Sequence, residues 1–296
     1  DIVREQLPQL SHEQILLEPM RRNTAPCVAY ANHIIALRNP DAVVVVTPSD
    51  HLIMDQSGFN KAVLTGIEFA STNEVLLTIG INPHRPETSY GYIQVNKRVS
   101  ENESNLYTVK TFTEKPTVEI AKAFIDSGEF YWNSGIFIWS LTAITSSFQK
   151  HLPDIDSLLS DVNKYLNTSK QAEVVANAYA ECKNISIDYG ILEKADNVYV
   201  LCAEFGWSDL GTWNALYQNA KKDELKNVVM GKNVMLCNVT NSLVNVPNDK
   251  LVVVQGLDNV ILVESGNILL ACRMDSEQEL KAILSEVMLE KGEEFI

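Results

Sequence analysis

Apolar runs and helical patterns alternate in the first third of the chain. Residues 42–46 form an uninterrupted apolar run that breaks into polar residues just before Asp50, which is typical of a strand buried on both faces of a parallel sheet. A helix is predicted over about residues 58–70, and a second buried strand over residues 75–81. This alternation predicts an α/β layered sheet with right-handed crossovers.

The segment before this pattern is harder to interpret. Residues 14–17 are predicted to form a short strand that runs into a polar loop containing Arg22 and Asn23. Thr24 is then predicted to N-cap a helix, with Pro26 tolerated in its first turn.

The middle of the chain is richer in predicted loops. A stiff polar connection leads to Gly91 and into a strand, and residues 109–113 are predicted to form another. Thr117 is predicted to open a helix that Gly128 stops. Residues 132–135 then lead as a polar loop into an apolar strand over 136–139, and helices fill residues 141–182.

The pattern changes near Asn227. Short β segments separated by Asn, Asp and Gly turns are predicted at 234–236, 251–254, 260–263 and 268–271. Ser276 and Glu279 are spaced as a capping box that opens a last amphipathic helix. The chain is therefore predicted to divide into a large domain over residues 1–222 and a small one over 223–296, and the apolar stripe of the last helix is core or a subunit contact.

Composition narrows the class of protein. With 296 residues and 46% hydrophobic residues, the chain is long enough to bury a sizeable core. The formal net charge of −14 argues against a nucleic-acid polymer as partner, because such binding needs a basic surface. The five cysteines are scattered, so neither a disulfide framework nor a zinc site is predicted.

The sequence shows neither a membrane-spanning pattern nor a signal-peptide pattern. No apolar stretch approaches the roughly 18 residues needed to cross a membrane, and the amino end has no signal-peptide pattern. No membrane partner is expected, and a cytoplasmic location is the default. The chain opens at Asp1 without a methionine, and we expect a preceding segment to be missing.

Several familiar classes of site are excluded because the sequence lacks their motifs. The sequence contains no G-x-G-x-x-G, Walker A, H-E-x-x-H or G-x-S-x-G pattern. What remains is a set of polar insertions, each predicted to follow a strand. Strand ends on one edge of a layered sheet converge, so these insertions are predicted to line one cleft. They are Arg22-Asn23-Thr24, Asp50-His51, Tyr90-Gly91-Tyr92, Glu114-Lys115, Asn133-Ser134-Gly135 and Ser208-Asp209.

These residue types suit phosphoryl or nucleotidyl transfer to a sugar phosphate. Asp50 and Asp209 are candidates to share Mg²⁺, which prefers oxygen ligands and often binds one or two carboxylates plus substrate phosphates. Lys115 offers a point charge for a phosphate oxygen. Glu114 and Asn133 can satisfy sugar hydroxyls, and Gly91 allows close approach because it has no Cβ.

Each residue also has a structural interpretation. Asp50 is equally explained as a turn cap, Glu114 and Lys115 as a solvated surface pair, and Gly91 as a β-bulge. Single residues do not decide between the two interpretations, whereas the order of the motifs does.

That order carries a resemblance to a known family. The chain resembles the bacterial mannose-1-phosphate guanylyltransferases over nearly its whole length. The matching motifs are Glu18-Pro19, Arg22-Asn23-Thr24-Ala25-Pro26, Thr47-Pro48-Ser49-Asp50-His51, Arg85-Pro86-Glu87-Thr88-Ser89-Tyr90-Gly91-Tyr92-Ile93, Phe112-Thr113-Glu114-Lys115-Pro116, Tyr131-Trp132-Asn133-Ser134-Gly135, Ile187-Asp188-Tyr189-Gly190-Ile191-Leu192-Glu193-Lys194 and Gly206-Trp207-Ser208-Asp209-Leu210-Gly211-Thr212-Trp213.

The resemblance implies a Rossmann-like nucleotide-diphosphosugar transferase domain followed by a small left-handed β-helix-like domain. It implies that mannose 1-phosphate attacks the α-phosphorus of GTP with Mg²⁺, giving GDP-mannose and pyrophosphate. It also implies residue roles: Asp50 and Asp209 for the metal, Lys115 for the sugar phosphate, and Glu114, Asn133 and Gly91 for mannose. Arg22, Asn23 and Thr24 would bind substrate, the last two beside the guanine, and Asp188 would support its neighbours or cap a helix.

One feature of the family has no counterpart here. Its members begin with a glycine-rich loop that holds the triphosphate, and nothing in residues 1–40 matches it. One alternative therefore stays open, a non-catalytic regulatory or sugar-nucleotide-binding subunit. A second is a pyrophosphorylase for another sugar and base, because backbone contacts and a few polar groups decide the purine. A homodimer is a further expectation, through the small β domain and the last helix.

Overall fold

A computed structural model describes residues 2–99, 105–165, 168–292 and 294. The chain divides into two compact units. The first, called the sheet unit, comprises Asp1–Ser49 and Ile53–Trp207, and the second, called the β unit, comprises Asp50–Leu52 and Ser208–Ile296. No helix in the described part of the chain is long and apolar enough to cross a membrane.

The described residues form nine α-helices, and most of them lie in segments that the sequence predicts to be helical. They are α1 (Ile2–Gln6), α2 (Thr24–Arg38), α3 (Gln56–Thr72), α4 (Val118–Ser127), α5 (Leu141–His151), α6 (Pro153–Ser160), α7 (Gln171–Glu181), α8 (Trp213–Asn219) and α9 (Leu280–Lys291). Shorter helical turns cover His12–Gln14, Asp161–Tyr165, Asp188–Leu192 and Met274–Glu279.

The strands are β1 (Val43–Val46), β2 (Leu52–Ile53), β3 (Leu76–Ile81), β4 (Gly91–Arg98), β5 (Leu106–Glu114), β6 (Phe130–Ser140), β7 (Val198–Cys202), β8 (Trp207–Ser208), β9 (Val228–Met230), β10 (Val234–Cys237), β11 (Leu243–Asn245), β12 (Val252–Gln255), β13 (Val260–Ser265) and β14 (Ile268–Arg273).

The main sheet of the sheet unit is mixed and not parallel as expected. Its order is β1-β6-β3-β7-β5-β4, and among its pairings only β3 with β7 is parallel. The long strand β6 runs antiparallel between β1 and β3, so β1 and β3 do not pair with each other. In the described residues β1 pairs only with β6, and its side chains are half-buried where full burial on both faces was expected.

Helices cover both faces of this sheet. Alternate residues of β3 belong to different cores, because side chains along a strand point to opposite faces. Leu76 packs in the cluster that contains α2, α5, α6 and α7, whereas Leu77 and Ile79 pack in the cluster that contains α3 and α4. All six residues of β3 are buried. The layered α/β fold predicted from the sequence is confirmed by this arrangement.

Several local predictions are confirmed and others are wrong. Thr117 caps α4, and Gly128 ends it with a left-handed φ of 69°. Residues 14–17 form no strand, and residues 132–135 lie inside β6 and not in a loop. Asn23, not Thr24, occupies the N-cap position of α2.

The predicted capping box at Ser276 and Glu279 is also wrong, because a 3₁₀ turn covers Met274–Glu279 and makes no side-chain cap. Glu277 instead accepts hydrogen bonds from the backbone amides of Trp213, at the start of α8, and Asn214.

Parallel ladders build most of the β unit. β9, β11 and β13 pair in parallel, β14 adds antiparallel to β13, and β10 pairs in parallel with β12. The register stacks Val228, Leu243 and Ile261 on one another, and all three are buried. Asn238, Asn241 and Asn259 turn the chain with left-handed φ angles of 53°, 50° and 58°, which asparagine tolerates better than most residues.

Candidate active site

Gly91 and Glu114 form one part of the site. The antiparallel register of β4 and β5 sets them opposite each other, at the first residue of β4 and the last residue of β5. A Cβ at position 91 would overlap Oε2 of Glu114 and lie 3.4 Å from Cβ of Asn133. The missing side chain of Gly91 therefore makes room for the carboxylate, and both residues lie beside Asn133.

Lys115 follows Glu114 and turns the chain out of β5. Its backbone adopts φ of 49°, and its amide donates to the carbonyl of Tyr90 over 3.2 Å. Its ammonium Nζ lies 3.2 Å from Oε1 of Glu114. The Lys115 side chain is 56% exposed whereas that of Glu114 is 20% exposed, so the pair is not the fully solvated surface pair of the alternative interpretation.

Asn133 is held on both sides of its amide. Its Nδ2 donates to Oδ1 of Asp188 over 2.8 Å. Its Oδ1 accepts from the hydroxyl of Thr78 at 3.1 Å and from the backbone amide of Gly135 at 3.2 Å. These contacts join β3, β6 and the turn that begins at Asp188.

Asp188 opens the short π-helical turn Asp188–Leu192. Burial raises the pKa of its carboxyl, the hydrogen bond from Asn133 opposes this, and the charge of Glu114 adds to it. Glu193 also has a raised pKa, from burial first and then from the charges of Glu114 and Asp188. Three acidic side chains therefore share this region, with Lys115 as a neighbouring cation.

The Arg22-Asn23-Thr24 loop runs beside the segment that leads into Asp188. The hydroxyl of Thr24 accepts from the amide of Ile187 over 2.9 Å, and the amide of Ile185 donates to the carbonyl of Arg22 over 3.3 Å. The structure thus brings this loop to the same side of the sheet unit as Asp188.

The side chains of Arg22 and Asn23 have structural partners. The Arg22 guanidinium donates to the carbonyls of Tyr179 and Ala180 at 2.9 and 3.0 Å, in the last turn of α7. Asn23 accepts from the amide of Thr24 over 2.9 Å with a left-handed φ of 67°. Arg22 therefore ties its loop to α7, and its role in substrate binding stays a prediction.

The segment before β4 is held by contacts among its own side chains and with Trp132. Glu87 is 9% exposed and accepts from Nε of Arg85 at 3.3 Å and from the hydroxyl of Ser89 at 2.9 Å. The Arg85 guanidinium lies 5.2 Å from the centre of the Trp132 ring. Arg85 therefore links the Glu87 carboxylate to the Trp132 ring.

Asp50 and Asp209 both belong to the β unit. Asp50 lies shortly before β2 and Asp209 directly follows β8, and these two strands pair. Burial lowers the pKa of His51, and the negative charges of Asp50 and Asp209 oppose that effect. The pairing of β2 with β8 brings the segments that carry the two aspartates side by side.

The loop after Asp209 holds its carboxylate. The amide of Gly211 donates to Oδ1 of Asp209 over 3.0 Å, and a Cβ at position 211 would lie 2.8 Å from Oδ2. In the described residues no group of three or more His, Cys, Asp or Glu side chains is arranged to hold a metal ion. Two carboxylates nevertheless fit Mg²⁺, which takes its remaining oxygens from water and substrate phosphates.

The predicted residues thus form two groups. One group lies in the sheet unit and comprises Gly91, Glu114, Lys115 and Asn133, together with the Arg22–Thr24 loop near Asp188. The other comprises Asp50 and Asp209, which belong to the β unit beside the paired strands β2 and β8. Thr78 is the site residue that the sequence did not reveal; the available signal was a single hydroxyl in the buried run of β3.

A surface cavity of about 910 Å³ lies elsewhere in the sheet unit. Its lining includes Tyr30, Ile34, Leu37 and Val175. It contains none of the predicted site residues, and the hydrogen-bonded group around Asn133 is the better candidate because its polar atoms converge.

Comparison with known proteins defines the class. The model of the nucleotidyl transferase family matches residues 1–226, and the chain belongs to this family. Members of the family generally use a divalent metal. Family membership agrees with the layered α/β fold and with the paired aspartates.

The relatives narrow the comparison and confirm the resemblance found in the sequence. The chain is 35% identical over 283 residues to a mannose-1-phosphate guanylyltransferase of Klebsiella pneumoniae, covering 95% of this chain and 59% of that protein. It is also 35% identical to the alginate biosynthesis protein AlgA of Pseudomonas syringae, covering 96% and 59%. The chain therefore spans less than two thirds of these relatives.

A solved structure extends the likeness to the whole fold. The crystal structure of a mannose-1-phosphate geranyltransferase from Thermus thermophilus superimposes with a TM-score of 0.82 at 28% identity. The match covers 97% of this chain and 80% of that one. The C-terminal β segments are thus part of the shared architecture.

Proposed function

We propose that the protein forms GDP-mannose and pyrophosphate from GTP and mannose 1-phosphate. The observation that carries this proposal is the convergence of Gly91, Glu114 and Asn133 in the sheet unit, in a chain similar over 95% of its length to a mannose-1-phosphate guanylyltransferase. The proposed roles follow from the chemistry of each side chain.

The sugar binds to Glu114 and Asn133. The carboxylate oxygens of Glu114 accept hydrogen bonds from hydroxyls, and the Asn133 amide supplies a donor. Gly91 leaves the space that a sugar needs beside these groups, because any larger residue would overlap Glu114. Lys115 contacts the sugar phosphate, since its side chain is more than half exposed and its ammonium is a point charge on a flexible stem.

The nucleotide base lies beside Asn23 and Thr24, and Arg22 completes this loop. Support comes from the hydrogen bond between Thr24 and Ile187, which fixes the loop beside Asp188. The backbone of the loop is thereby held in one conformation before any ligand arrives, which lowers the ordering cost of binding.

Asp50 and Asp209 hold Mg²⁺ in this proposal. Their support is the pair of carboxylates that acts on His51, together with the preference of Mg²⁺ for oxygen ligands. When bound, the ion offsets negative charge on the phosphate oxygens. The residues of the chain contribute by orienting both substrates and by placing the Lys115 cation near the sugar phosphate.

The reaction balances without a general base. A phosphate oxygen of mannose 1-phosphate forms a bond to the α-phosphorus of GTP, and the bond from that phosphorus to the β-bridging oxygen breaks. Pyrophosphate leaves with the electron pair. Since the second pKa of a phosphate monoester is about 6, the nucleophile is already largely ionised at neutral pH.

We further propose a left-handed β-helix for the C-terminal part and a functional division into residues 1–222 and 223–296. Support comes from the parallel pairing of β9, β11 and β13 and of β10 with β12. The family match ends at residue 226, close to the start of β9. Residues 208–222 nevertheless pack with the β unit.

A homodimer through the C-terminal part is the proposed assembly. Met235 and Val253 are neighbours across β10 and β12 and are 57% and 58% exposed. Leu284 and Met288 of α9 are each 46% exposed. Exposed apolar groups of this kind often mark an interface. A cytoplasmic location is proposed as well, supported by five cysteines that are all free thiols.

Turnover with alternative substrates tests the proposal. The purified protein is incubated with Mg²⁺, mannose 1-phosphate and GTP, and pyrophosphate release is compared with reactions that contain UTP or ATP, or glucose 1-phosphate. The mannose and GTP pair is expected to react fastest. A faster rate with another pair would favour a different pyrophosphorylase, and tight binding of mannose 1-phosphate without turnover would favour a regulatory subunit.

A further inference from the structure

We propose that Thr78 and Asp188 are positioning residues that fix the Asn133 amide so that it presents a single hydrogen-bond donor to a sugar hydroxyl. This inference rests on the proposed function and specifies how its sugar site recognises the ligand. Three contacts carry it: Asn133 to Asp188 at 2.8 Å, Thr78 to Asn133 at 3.1 Å, and Gly135 to Asn133 at 3.2 Å.

One of these partners determines which way the amide faces. A backbone N–H only donates, so Gly135 requires the oxygen of Asn133. The nitrogen of the amide then faces Asp188, whose Oδ1 accepts from it over 2.8 Å. A reversed amide would set its N–H groups against the N–H of Gly135 and lose both contacts.

Thr78 makes a further contact with the Asn133 side chain from a buried position in β3. It is fully buried in β3, where its hydroxyl donates to Oδ1 of Asn133 and lies 3.4 Å from the carbonyl of Ile136. The register of β3 against β6 shifts between Thr78 and Gly80. Directly after this shift, Gly80 of β3 pairs with Asn133 of β6. The Thr78 hydroxyl donates to Oδ1 of the same Asn133.

The hydrogen bonds of the Asn133 side chain leave one of its N–H groups for a ligand. Its oxygen has two lone pairs, and Thr78 and Gly135 occupy both. Its nitrogen has two hydrogens, and Asp188 takes one. One N–H remains for a ligand. Asn133 therefore recognises an acceptor and rejects a group that can only donate.

Glu114 supplies the complementary half of the recognition. Its carboxylate lies against Gly91, as does Cβ of Asn133, and the carboxylate oxygens accept hydrogen bonds. A ligand group between them must accept from Asn133 and donate to Glu114. A hydroxyl does both, whereas an ether oxygen or a keto group does not donate. The pair thus selects a free sugar hydroxyl.

Steady-state kinetics with three variants tests the role of Thr78. Thr78→Val keeps the size of the side chain and removes the hydroxyl, Thr78→Ser keeps the hydroxyl, and Asn133→Ala provides the background for a double-mutant cycle. Thr78→Val is expected to raise KM for mannose 1-phosphate about tenfold, equivalent to about 1.4 kcal/mol, with KM for GTP unchanged. Thr78→Ser is expected to stay within about twofold of the original protein.

The cycle separates positioning from a structural role. If Thr78 acts through Asn133, Thr78→Val has no further effect on KM in the Asn133→Ala background. An equal loss in both backgrounds would overturn the inference. Monodeoxy analogues of mannose 1-phosphate add a second readout, since the analogue that lacks the selected hydroxyl is expected to be penalised less by Thr78→Val than the natural sugar.

A ligand-free measurement separates this inference from the proposed function. In protein labelled with ¹⁵N-asparagine, the Asn133 side-chain NH₂ is assigned from its loss in Asn133→Ala. It is expected to exchange slowly with solvent, and faster in both Thr78→Val and Asp188→Ala. Fast exchange in the original protein would overturn the positioning role, whereas slow exchange without mannose 1-phosphate binding would overturn only the proposed substrate.

Discussion

The carboxylate of Glu114 occupies the space that a side chain at position 91 would need. The two residues face each other across β4 and β5, and a Cβ on Gly91 would overlap Oε2 of Glu114. Gly91 is buried and its backbone is an ordinary part of β4. A glycine is therefore needed at position 91 because the Glu114 carboxylate occupies the space of a side chain, and not because of an unusual backbone angle.

Replacing Gly91 by alanine is expected to displace Glu114 and weaken sugar binding. We expect KM for mannose 1-phosphate to rise roughly tenfold, since about one hydrogen bond to a charged group is lost or distorted. KM for GTP is expected to stay unchanged. In a Glu114→Ala background the same substitution should add almost nothing, and an additive loss there would show that Gly91 acts by some other route.

Asp209→Asn is expected to abolish Mg²⁺-dependent pyrophosphate release while leaving the protein folded. The amide keeps the size of the side chain but loses the negative charge, and Mg²⁺ depends on that charge. Asp249→Asn, at an exposed position of the same unit, is the matched control and is expected to be fully active. Unchanged turnover in Asp209→Asn would refute the metal assignment.

Asp188 is expected to make stability depend on pH. Burial raises the pKa of its carboxyl above the ordinary value of 3.8, so the folded protein keeps a proton that the unfolded chain has already lost. This contribution favours the folded state most below pH 3.8 and is lost as the pH rises through the raised pKa. Besides burial, the side chains that shift this pKa are Asn133, Glu114 and Lys115, and the charge of Asp188 in turn adds to burial in raising the pKa values of Tyr189 and Glu193.

Thermal unfolding of the original protein and Asp188→Asn, measured at intervals from pH 4 to pH 8, checks this expectation. The variant lacks the titrating group. The Tm of the variant minus the Tm of the original protein is therefore expected to increase as the pH rises. The difference then becomes constant above the raised pKa. Two parallel curves would contradict the predicted shift.

Glu277 is expected to stabilise the start of α8. Its carboxylate accepts from the amides of Trp213 and Asn214, which are among the N–H groups that a helix leaves unpaired at its first turn. Glu277→Ala is expected to lower the free energy of unfolding by about 1–2 kcal/mol. Glu279→Ala, an exposed acid in the same 3₁₀ turn, should change it by less than about 0.5 kcal/mol.

Local chemistry made much of the fold predictable. The helix between Thr117 and Gly128 has a side chain that caps its start and a glycine that ends it, and both signals act within a few residues. Strand β3 is a continuous apolar run buried on both faces. Both elements are specified by residues close together in the sequence, so the sequence alone was sufficient.

Long-range pairing was not predictable in the same way. Residues 132–135 contain Asn, Ser and Gly and resemble a loop, but β6 continues through them because β3 and β4 supply its partners. The antiparallel insertion of β6 between β1 and β3 also made the sheet mixed. No pattern within a single strand specifies the direction of its neighbour.

The candidate site shows the same limit. Asn133 and Glu114 stood out because polar residues near apolar runs attract attention, whereas Thr78 lies inside a run and has high strand propensity. Its role depends on a hydrogen bond to a residue 55 positions away in the chain. Such a contact is visible only after the strands have been aligned.

The discontinuous composition of the β unit has a consequence for biosynthesis. Asp50–Leu52 belongs to this unit together with Ser208–Ile296, although the ribosome makes Asp50 long before Asp209. Domains tend to fold as units while the chain emerges, so the layers around β3 are able to assemble first. The two aspartates meet only after residue 209 has left the exit tunnel, and a nascent chain acquires this acidic pair after most of its sheet.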